Sequence, residues 1–122
     1  MKFHLQTPTS KLITGSGPGW VRIGNDEYRN NVVITADTVE PGFAPGGFDE
    51  LTADDFSALL RVPPEIVLLG TGATQRFPRP AVTAPLHAAN VGLEVMDTRA
   101  ACRTYNILVG EGRSVTAALI VE

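Results

Sequence analysis

The turn that follows residue 69 is the feature of this chain best suited to chemistry. After Glu65, an apolar run over residues 66–69 stops at Gly70 and Gly72, and Arg76 follows shortly afterwards. Exposed backbone amides in such a turn can hold a small anion, to which a nearby arginine adds positive charge. The third glycine of a dinucleotide-binding fingerprint and the Gly-Lys-Ser of a phosphate-binding loop are both missing. A tight turn that lets backbones pack closely is therefore the favoured interpretation, and a ligand loop is the alternative.

A second apolar run ends in the same way. Residues 91–96 lead into Asp97 and Thr98, and two strands that flank a helix in one sheet are by default parallel neighbours. Both polar exits are then expected on one edge of the sheet, formed by residues 70–78 and 97–106. The candidate binding residues on this edge are Gly70, Thr71, Gly72, Gln75, Arg76, Asp97, Thr98, Arg103 and Asn106.

Each of these residues also has a purely structural interpretation. Arg76 and Arg103 would either converge on a ligand or brace loop carbonyls and pair with Asp97, and the structural role is favoured. Asp97 or Thr98 would first of all cap the helix that begins there, which is the usual role of these residue types before a helix. Catalysis at this edge would need a further group.

A catalytic thiol has little support. Cys102 falls near the start of a helix, where the helix dipole favours a thiolate. Neither His4 nor His87 is placed by the sequence to activate it, and a cysteine on a packed helix usually behaves as a small buried apolar residue. The sequence therefore assigns no catalytic residue, no metal ligands and no cofactor.

Length and composition predict one cytoplasmic domain over residues 1–122. Hydrophobic residues make up 43% of the chain and charged residues 19%, as in ordinary globular proteins. The net charge of -3 argues against nucleic acid as a partner, and a single cysteine excludes an internal disulfide. Residues 1–6 lack the apolar core of a secretory signal, and no stretch approaches the ~20 apolar residues that cross a bilayer. We therefore expect no membrane insertion.

The first half of the chain has the pattern of strands and turns. Residues 20–23 and 27–29 flank a Gly-Asn-Asp turn, and the β-branched run 32–36 favours further antiparallel pairing through a hairpin. The segment 41–48 is too rich in Pro and Gly for regular structure and is predicted as a crossing loop. The sequence thus predicts an antiparallel β extension at the N-terminal side.

The second half alternates between helices and strands. A helix capped by Thr52 is predicted to stop at Pro63, and two more are predicted over about 80–90 and from Thr98 to about residue 110. The apolar runs described above and the final segment 114–121 are predicted strands. This order argues for an α/β domain built in layers around a sheet.

Several blocks of the chain together resemble the Mth domain family, whose function is unknown. The blocks are residues 69–72, 75–78, 94–98 and 100–108. The resemblance implies a single three-layer domain around a mixed β-sheet, in agreement with the independent interpretation, and it supplies no enzyme activity. The family includes a mitochondrial complex I assembly factor and an adipogenesis-associated protein, and its best described members act as assembly or regulatory partners. Because the chain lacks a presequence, it resembles a bacterial relative.

The function predicted from these features is a non-enzymatic binding or assembly-type module. The alternative is a small-anion or small-molecule binding protein, or an enzyme, with a pocket at the same edge. Self-association through an apolar face is a third interpretation. The partner is then another protein, a small anionic ligand or a second copy of the chain. An exposed Phe77 would mark a protein-binding surface, whereas a deep pocket lined by the polar candidates would favour a ligand.

Overall fold

The computed structural model describes residues 11–122. Residues 1–6, which include His4 and are considered above, lie outside the described residues. The structure contains strands β1 (Ile13–Gly17), β2 (Trp20–Ile23), β3 (Asp26–Tyr28), β4 (Val32–Ile34) and β5 (Val39–Pro41), helix α1 (Ala53–Ser57), strand β6 (Ile66–Gly70), helix α2 (Pro80–Ala88), strand β7 (Gly92–Met96), helix α3 (Thr98–Gly110) and strand β8 (Val115–Leu119). Short 3-10 turns lie at Phe48–Glu50 and Ala58–Leu60.

A mixed sheet forms the middle of the molecule, with the strand order β5-β4-β8-β6-β7. β6 is parallel to both of its neighbours, so Gly70 lies opposite Met96 of β7 on one side and Leu119 of β8 on the other. β4 is antiparallel to β8 and to β5. The predicted parallel pairing of the two apolar runs is therefore confirmed, and β8 joins them at the same edge.

The three N-terminal strands form a separate antiparallel sheet with the order β1-β2-β3. Gly24 makes the turn between β2 and β3 with a φ of 59°, a conformation that glycine adopts without steric cost. The register of β1 shifts between Ile13 and Gly15, which marks a bulge. This sheet is the antiparallel extension that the sequence predicts.

Apolar side chains cover both faces of the main sheet and create two cores. The first core lies between the sheet, helix α3 and the small sheet, and its largest fully buried member is Tyr105. The second core lies between the opposite face, helices α1 and α2 and the loop that follows β5, and Phe56 is completely buried in it. Adjacent residues of a strand point to opposite faces, so Leu68 belongs to the first core and Leu69 to the second. The result is the predicted three-layer α/β architecture.

Helix α3 closes the free edge of β1 by means of one side chain. The Asn106 amide accepts a hydrogen bond from the Ile13 N–H at 2.9 Å and donates one to the Ile13 carbonyl at 2.7 Å. Among the described residues β1 has no neighbouring strand on this side, and the Asn106 amide takes the place of one. The Tyr105 hydroxyl adds a hydrogen bond of 2.7 Å to the carbonyl of Lys11. The small sheet is thus fixed to α3 by polar as well as apolar contacts.

The sequence predicts the starts of all three helices correctly. Thr52 and Asp55 form a reciprocal capping box at α1, and the Asp97 carboxylate accepts from the Ala100 N–H at 2.9 Å at α3. Pro80 begins α2, which contains Pro85 in its interior. These caps satisfy backbone donors that the first turn of a helix leaves without intrahelical partners.

Some element boundaries differ from the predictions. The run 32–36 is a strand only to Ile34, and it joins the main sheet beside β8 instead of extending the N-terminal hairpin. β1 and β5 were not predicted, since Thr, Gly and Ser dominate the first and Pro41 ends the second. The helix after Thr52 has a single α-helical turn and continues as a 3-10 turn. In the strands, tertiary pairing outweighs local propensity.

No helix within residues 11–122 has both the length and the apolar character needed to cross a membrane.

Replacing Asn106 with alanine tests the closure of β1. The substitution leaves the Ile13 N–H and carbonyl without their partners, and we expect the free energy of unfolding to fall by about 2 kcal/mol. Urea denaturation measures this loss. Asn30→Ala, at an exposed asparagine, is the control and is expected to have little effect. Equal stabilities of the two variants would contradict the role given to Asn106.

Candidate functional site

The ends of β6 and β7 meet at a rim, which we define as residues 70–78 and 97–98. The Thr71 N–H donates to the Met96 carbonyl at 2.9 Å, and the Thr98 N–H donates to the Gly72 carbonyl at 2.9 Å. The two polar exits recognised in the sequence are therefore in direct contact. The structure brings together the first part of each predicted segment.

The buried hydroxyl of Thr98 connects the strand exits at the rim. It donates to the Ile120 carbonyl just beyond β8 at 2.6 Å and accepts from the Gly72 N–H at 2.8 Å. The Ile120 N–H in turn donates to the Gly70 carbonyl at 2.8 Å. Since Gly72 follows β6 and Thr98 follows β7, one hydroxyl links the ends of three strands.

Two glycines of the rim are required by geometry. A Cβ atom on Gly70 would lie 3.0 Å from the Thr98 Cα, a backbone atom that cannot move aside cheaply. Gly72 has a φ of 97°, and a Cβ there would lie 2.9 Å from the Glu122 side chain. The favoured interpretation of this segment, a tight turn with close backbone packing, therefore accounts for both glycines.

Arg76 is committed to contacts within the chain. Its guanidinium donates twice to the Thr71 carbonyl, from Nε at 3.1 Å and from Nη2 at 2.6 Å, and Nη2 lies 3.0 Å from a Glu122 carboxylate oxygen. The guanidinium also stacks over the Phe48 ring at 4.5 Å. Arg76 thus braces a loop carbonyl, as the structural interpretation held, but its acidic partner is Glu122 and not Asp97.

Thr71, Gln75 and Asp97 also use their polar groups internally. The Thr71 hydroxyl donates to the Thr74 carbonyl at 2.7 Å and accepts from the Arg76 N–H at 3.0 Å. The Gln75 amide donates to the Val95 carbonyl at 2.9 Å on the outer side of β7, and Asp97 caps α3. These side chains shape the rim by holding its backbone.

Arg103 and Asn106 lie along α3, away from these contacts. Asn106 holds β1, as described above, and Arg103 lines a groove of about 220 Å³ between β1 and α3, together with Arg99. The guanidinium groups of Arg76 and Arg103 therefore face different neighbours. The predicted convergence of these two arginines on one ligand is not what the structure shows.

A second groove, of about 410 Å³, opens at the rim itself. Its walls include the predicted residues Gly72, Asp97 and Thr98, and also Trp20 and Glu122. No local pattern places Trp20 or Glu122 at the rim, because their approach to it depends on the docking of the small sheet and on the path of the chain after β8. Arg99 also lines this groove. Its two carboxylates, of Asp97 and Glu122, outnumber this one arginine, so the groove does not favour an anion.

Cys102 is buried, with 4% of its surface exposed. Burial raises the pKa of its thiol to about 11, and a weaker influence of Arg103 opposes this shift. The thiol is therefore protonated at neutral pH and lacks the thiolate character of a nucleophile. Its place among the apolar side chains of the first core agrees with a packing role.

Phe77 is exposed on the outer side of the rim, with 72% of its surface accessible. It follows directly after the braced Arg76. Among the large apolar residues in the described part of the chain, Val62 and Ile107 are also mainly exposed. Phe77 therefore places an aromatic ring in solvent on a loop whose preceding residue is held by several contacts.

A protein family described as "Protein of unknown function (DUF498/DUF598)" matches residues 13–120. The chain belongs to this family. The matched region begins with β1 and ends just after β8, so it includes the rim and the whole groove between β1 and α3. A Bordetella pertussis protein described as an Mth938-like domain has the same fold, with a TM-score of 0.78 and 28% identity over 99% of this chain and 92% of that one. The resemblance to the Mth domain family is therefore confirmed.

Two relatives of this chain come from distant organisms. An uncharacterized protein of Rhodobacter capsulatus is 36% identical over 108 residues, covering 88% of this chain and 82% of that protein. The Bos taurus protein named NADH dehydrogenase (ubiquinone) 1 alpha subcomplex assembly factor 3 is 33% identical over 107 residues. That alignment covers 86% of this chain and 57% of the bovine protein, so the chain spans little more than half of its length.

Replacing Gly70 with alanine tests the close approach at the rim. The added Cβ would press against the Thr98 backbone, and we expect the free energy of unfolding to fall by about 1–3 kcal/mol. Gly92→Ala is the matched control on β7, where the nearest atom would lie at an ordinary 3.5 Å. Thermal denaturation compares the two variants. A neutral Gly70→Ala would show that the rim can relax.

The pH dependence of stability tests the burial of Cys102. Its pKa rises on folding from 9.0 to about 11, so the unfolded chain loses this proton at a lower pH than the folded chain. The thiol's contribution is therefore fully present below pH 9 and is lost as the pH rises toward 11, on the order of 2 kcal/mol. Cys102→Ala should lose less stability than the wild type over this range in urea denaturation. Tyr105, whose pKa burial also raises, affects both proteins alike. Identical pH profiles would contradict the assignment.

Proposed function

We propose that this protein is a non-enzymatic, assembly-type module that binds another protein through the edge formed by residues 70–78 and 97–106. In this proposal residues 1–122 act as a single domain, and Phe77 is the centre of the contact. The ordinary composition and the single cysteine support a cytoplasmic location, and the Rhodobacter capsulatus relative supports a bacterial origin.

The exposed ring of Phe77 is the observation that carries the proposal. An aromatic side chain with 72% of its surface in water has no packing role within the described residues that would explain it, whereas aromatic residues are frequent anchors of protein interfaces. The preceding residue, Arg76, is held by the Thr71 carbonyl and by Glu122, so the loop loses little conformational freedom on binding. A preorganised loop lowers the entropic cost of association.

The other candidate residues of the edge support this contact indirectly. Thr71, Gln75, Arg76 and Thr98 bond to the backbone of the rim and keep its shape, and Gly70 and Gly72 permit its close packing. A small ligand would need some of these polar groups free. Their internal use therefore favours a protein partner over the alternative of a small-anion site or an enzyme pocket at the same edge.

The name of the bovine relative supports the same class of function. That protein is named an assembly factor, and assembly factors act on other proteins. The shared region of 107 residues contains the rim, although it is only 57% of the bovine chain. We infer that a protein-binding role, without the identity of the partner, extends to this chain.

Substitution of Phe77 tests the proposal. Phe77→Ala should leave the thermal unfolding temperature unchanged and weaken partner binding at least fivefold, the equivalent of about 1 kcal/mol at an interface anchor. The immobilised wild type and variant would be compared by quantitative mass spectrometry of the proteins that they retain from a bacterial extract.

Val62→Ala is the matched control, because Val62 is an exposed apolar residue with 84% of its surface accessible. Proteins retained by the wild type and by Val62→Ala but lost from Phe77→Ala would support the proposal. Retention of the same proteins by all three would refute it. If phosphate or another small anion raised the unfolding temperature of the wild type at low concentration, the ligand-binding alternative would replace it.

A further inference from the structure

We propose that the groove between β1 and α3 binds an acidic segment of the partner protein through Arg99 and Arg103. This inference rests on the proposed function, because it names the chemistry of the partner that one end of the same edge recognises. The groove has a volume of about 220 Å³, and both arginines line it. None of the residues that line the groove is acidic.

Neither of the two arginines has an ion-pair partner within residues 11–122. Four ion pairs occur within residues 11–122, and they use Arg29, Arg61, Arg76 and Arg113. Arg99 and Arg103 are exposed, and neither side chain makes a hydrogen bond or ion pair within those residues. Asp97, the nearest acid along the chain, uses its carboxylate to cap α3. In the described part of the chain, a protein with a net charge of -3 thus carries two neighbouring exposed arginines that form no ion pair, although Arg99 also borders the groove that contains Asp97 and Glu122.

The placement of these arginines is unfavourable for an isolated helix. Arg99 and Arg103 are four residues apart on α3, so their side chains are neighbours of like charge on one face. Arg99 also lies in the first turn, where the helix dipole disfavours a cation. Residues that break such local rules without an internal compensation indicate a functional constraint. A carboxylate from a partner would neutralise both guanidinium groups.

The size and composition of the patch favour a peptide over other polyanions. Nucleic acids and anionic membranes are bound by larger groups of basic residues, and this face of α3 offers two arginines. One turn further along the same face, Ile107 is exposed over 60% of its surface. A segment that combines Asp or Glu with an apolar side chain matches this combination of charge and apolar surface, and guanidinium groups pair well with carboxylates.

A defined peptide tests the inference. The probe is a fluorescein-labelled octapeptide of alternating Glu and Leu, and its binding to the purified protein is followed by fluorescence anisotropy. We expect saturable binding that weakens when the salt concentration is raised from about 50 mM to about 300 mM. Substitution of both residues, in R99Q/R103Q, should weaken binding at least about fivefold. The corresponding Gln and Leu peptide should bind less tightly than the acidic one.

The matched control is R29Q/R79Q, which removes the same number of charges from exposed arginines elsewhere. An equal loss of binding in this control would reduce the effect to net charge and overturn the inference. The absence of saturable binding to the wild type, or tighter binding of an RNA octanucleotide or of phosphatidylglycerol vesicles, would overturn it as well. Thermal unfolding adds an independent readout: R99Q/R103Q should be no less stable than the wild type, and a marked loss would show that these arginines are structural.

The results of this experiment and of the Phe77 experiment can be separated. If Phe77→Ala abolishes retention of partner proteins and R99Q/R103Q binds the acidic peptide like the wild type, the proposed function stands and the acidic partner is wrong. If Phe77→Ala has no effect and the arginine variant loses the peptide, the groove is the binding surface and the role of Phe77 is wrong.

Discussion

One buried hydroxyl, that of Thr98, holds the carboxyl end of the main sheet together. It joins Gly72, two residues after β6, to Ile120, the residue after β8, and Thr98 itself lies two residues after β7. A buried hydroxyl that both donates and accepts a hydrogen bond avoids the free-energy cost of a buried polar group without a partner. This link is therefore compatible with the apolar cores on both faces of the sheet. The rest of the rim depends on it. Gly70 must lack a side chain because Thr98 approaches so closely, and the turn at Gly72 directs the chain toward the loop that carries Phe77.

The residues of the edge that face the chain and those that face solvent have different roles. Most of the polar side chains that suggest a ligand site in the sequence form hydrogen bonds to the backbone. The groups left exposed to solvent are an aromatic ring on the loop and two arginines on α3. Apolar anchors with nearby charge are characteristic of protein interfaces, where the charge steers association and the anchor supplies most of the affinity. In the proposed function, stability of the rim and recognition of a partner therefore rely on different residues, and each can be altered with limited effect on the other.

The general architecture of this protein was predictable because its signals are local. The helix caps at Thr52 and Asp97 and the two apolar runs with their glycine and aspartate exits can be recognised without knowledge of the fold. The parts that failed depend on long-range contacts. β1 is a strand because Asn106 and β2 satisfy its backbone, and the partner of Arg76 is Glu122, 46 residues away. No periodicity in the sequence encodes such pairings. The same limit left open whether Arg103 converges with Arg76 on a ligand, because the side of α3 on which it lies is decided by how the small sheet docks.

The link between Ile13 and Asn106 has a consequence for biosynthesis. The two residues are separated by 93 positions, so the N-terminal hairpin leaves the ribosome long before the helix that covers its border has been translated. During that interval β1 presents free backbone donors and acceptors, the kind of template to which other nascent chains adhere. Rapid translation of the chain through α3, or a chaperone that covers the hairpin until then, would protect newly made molecules.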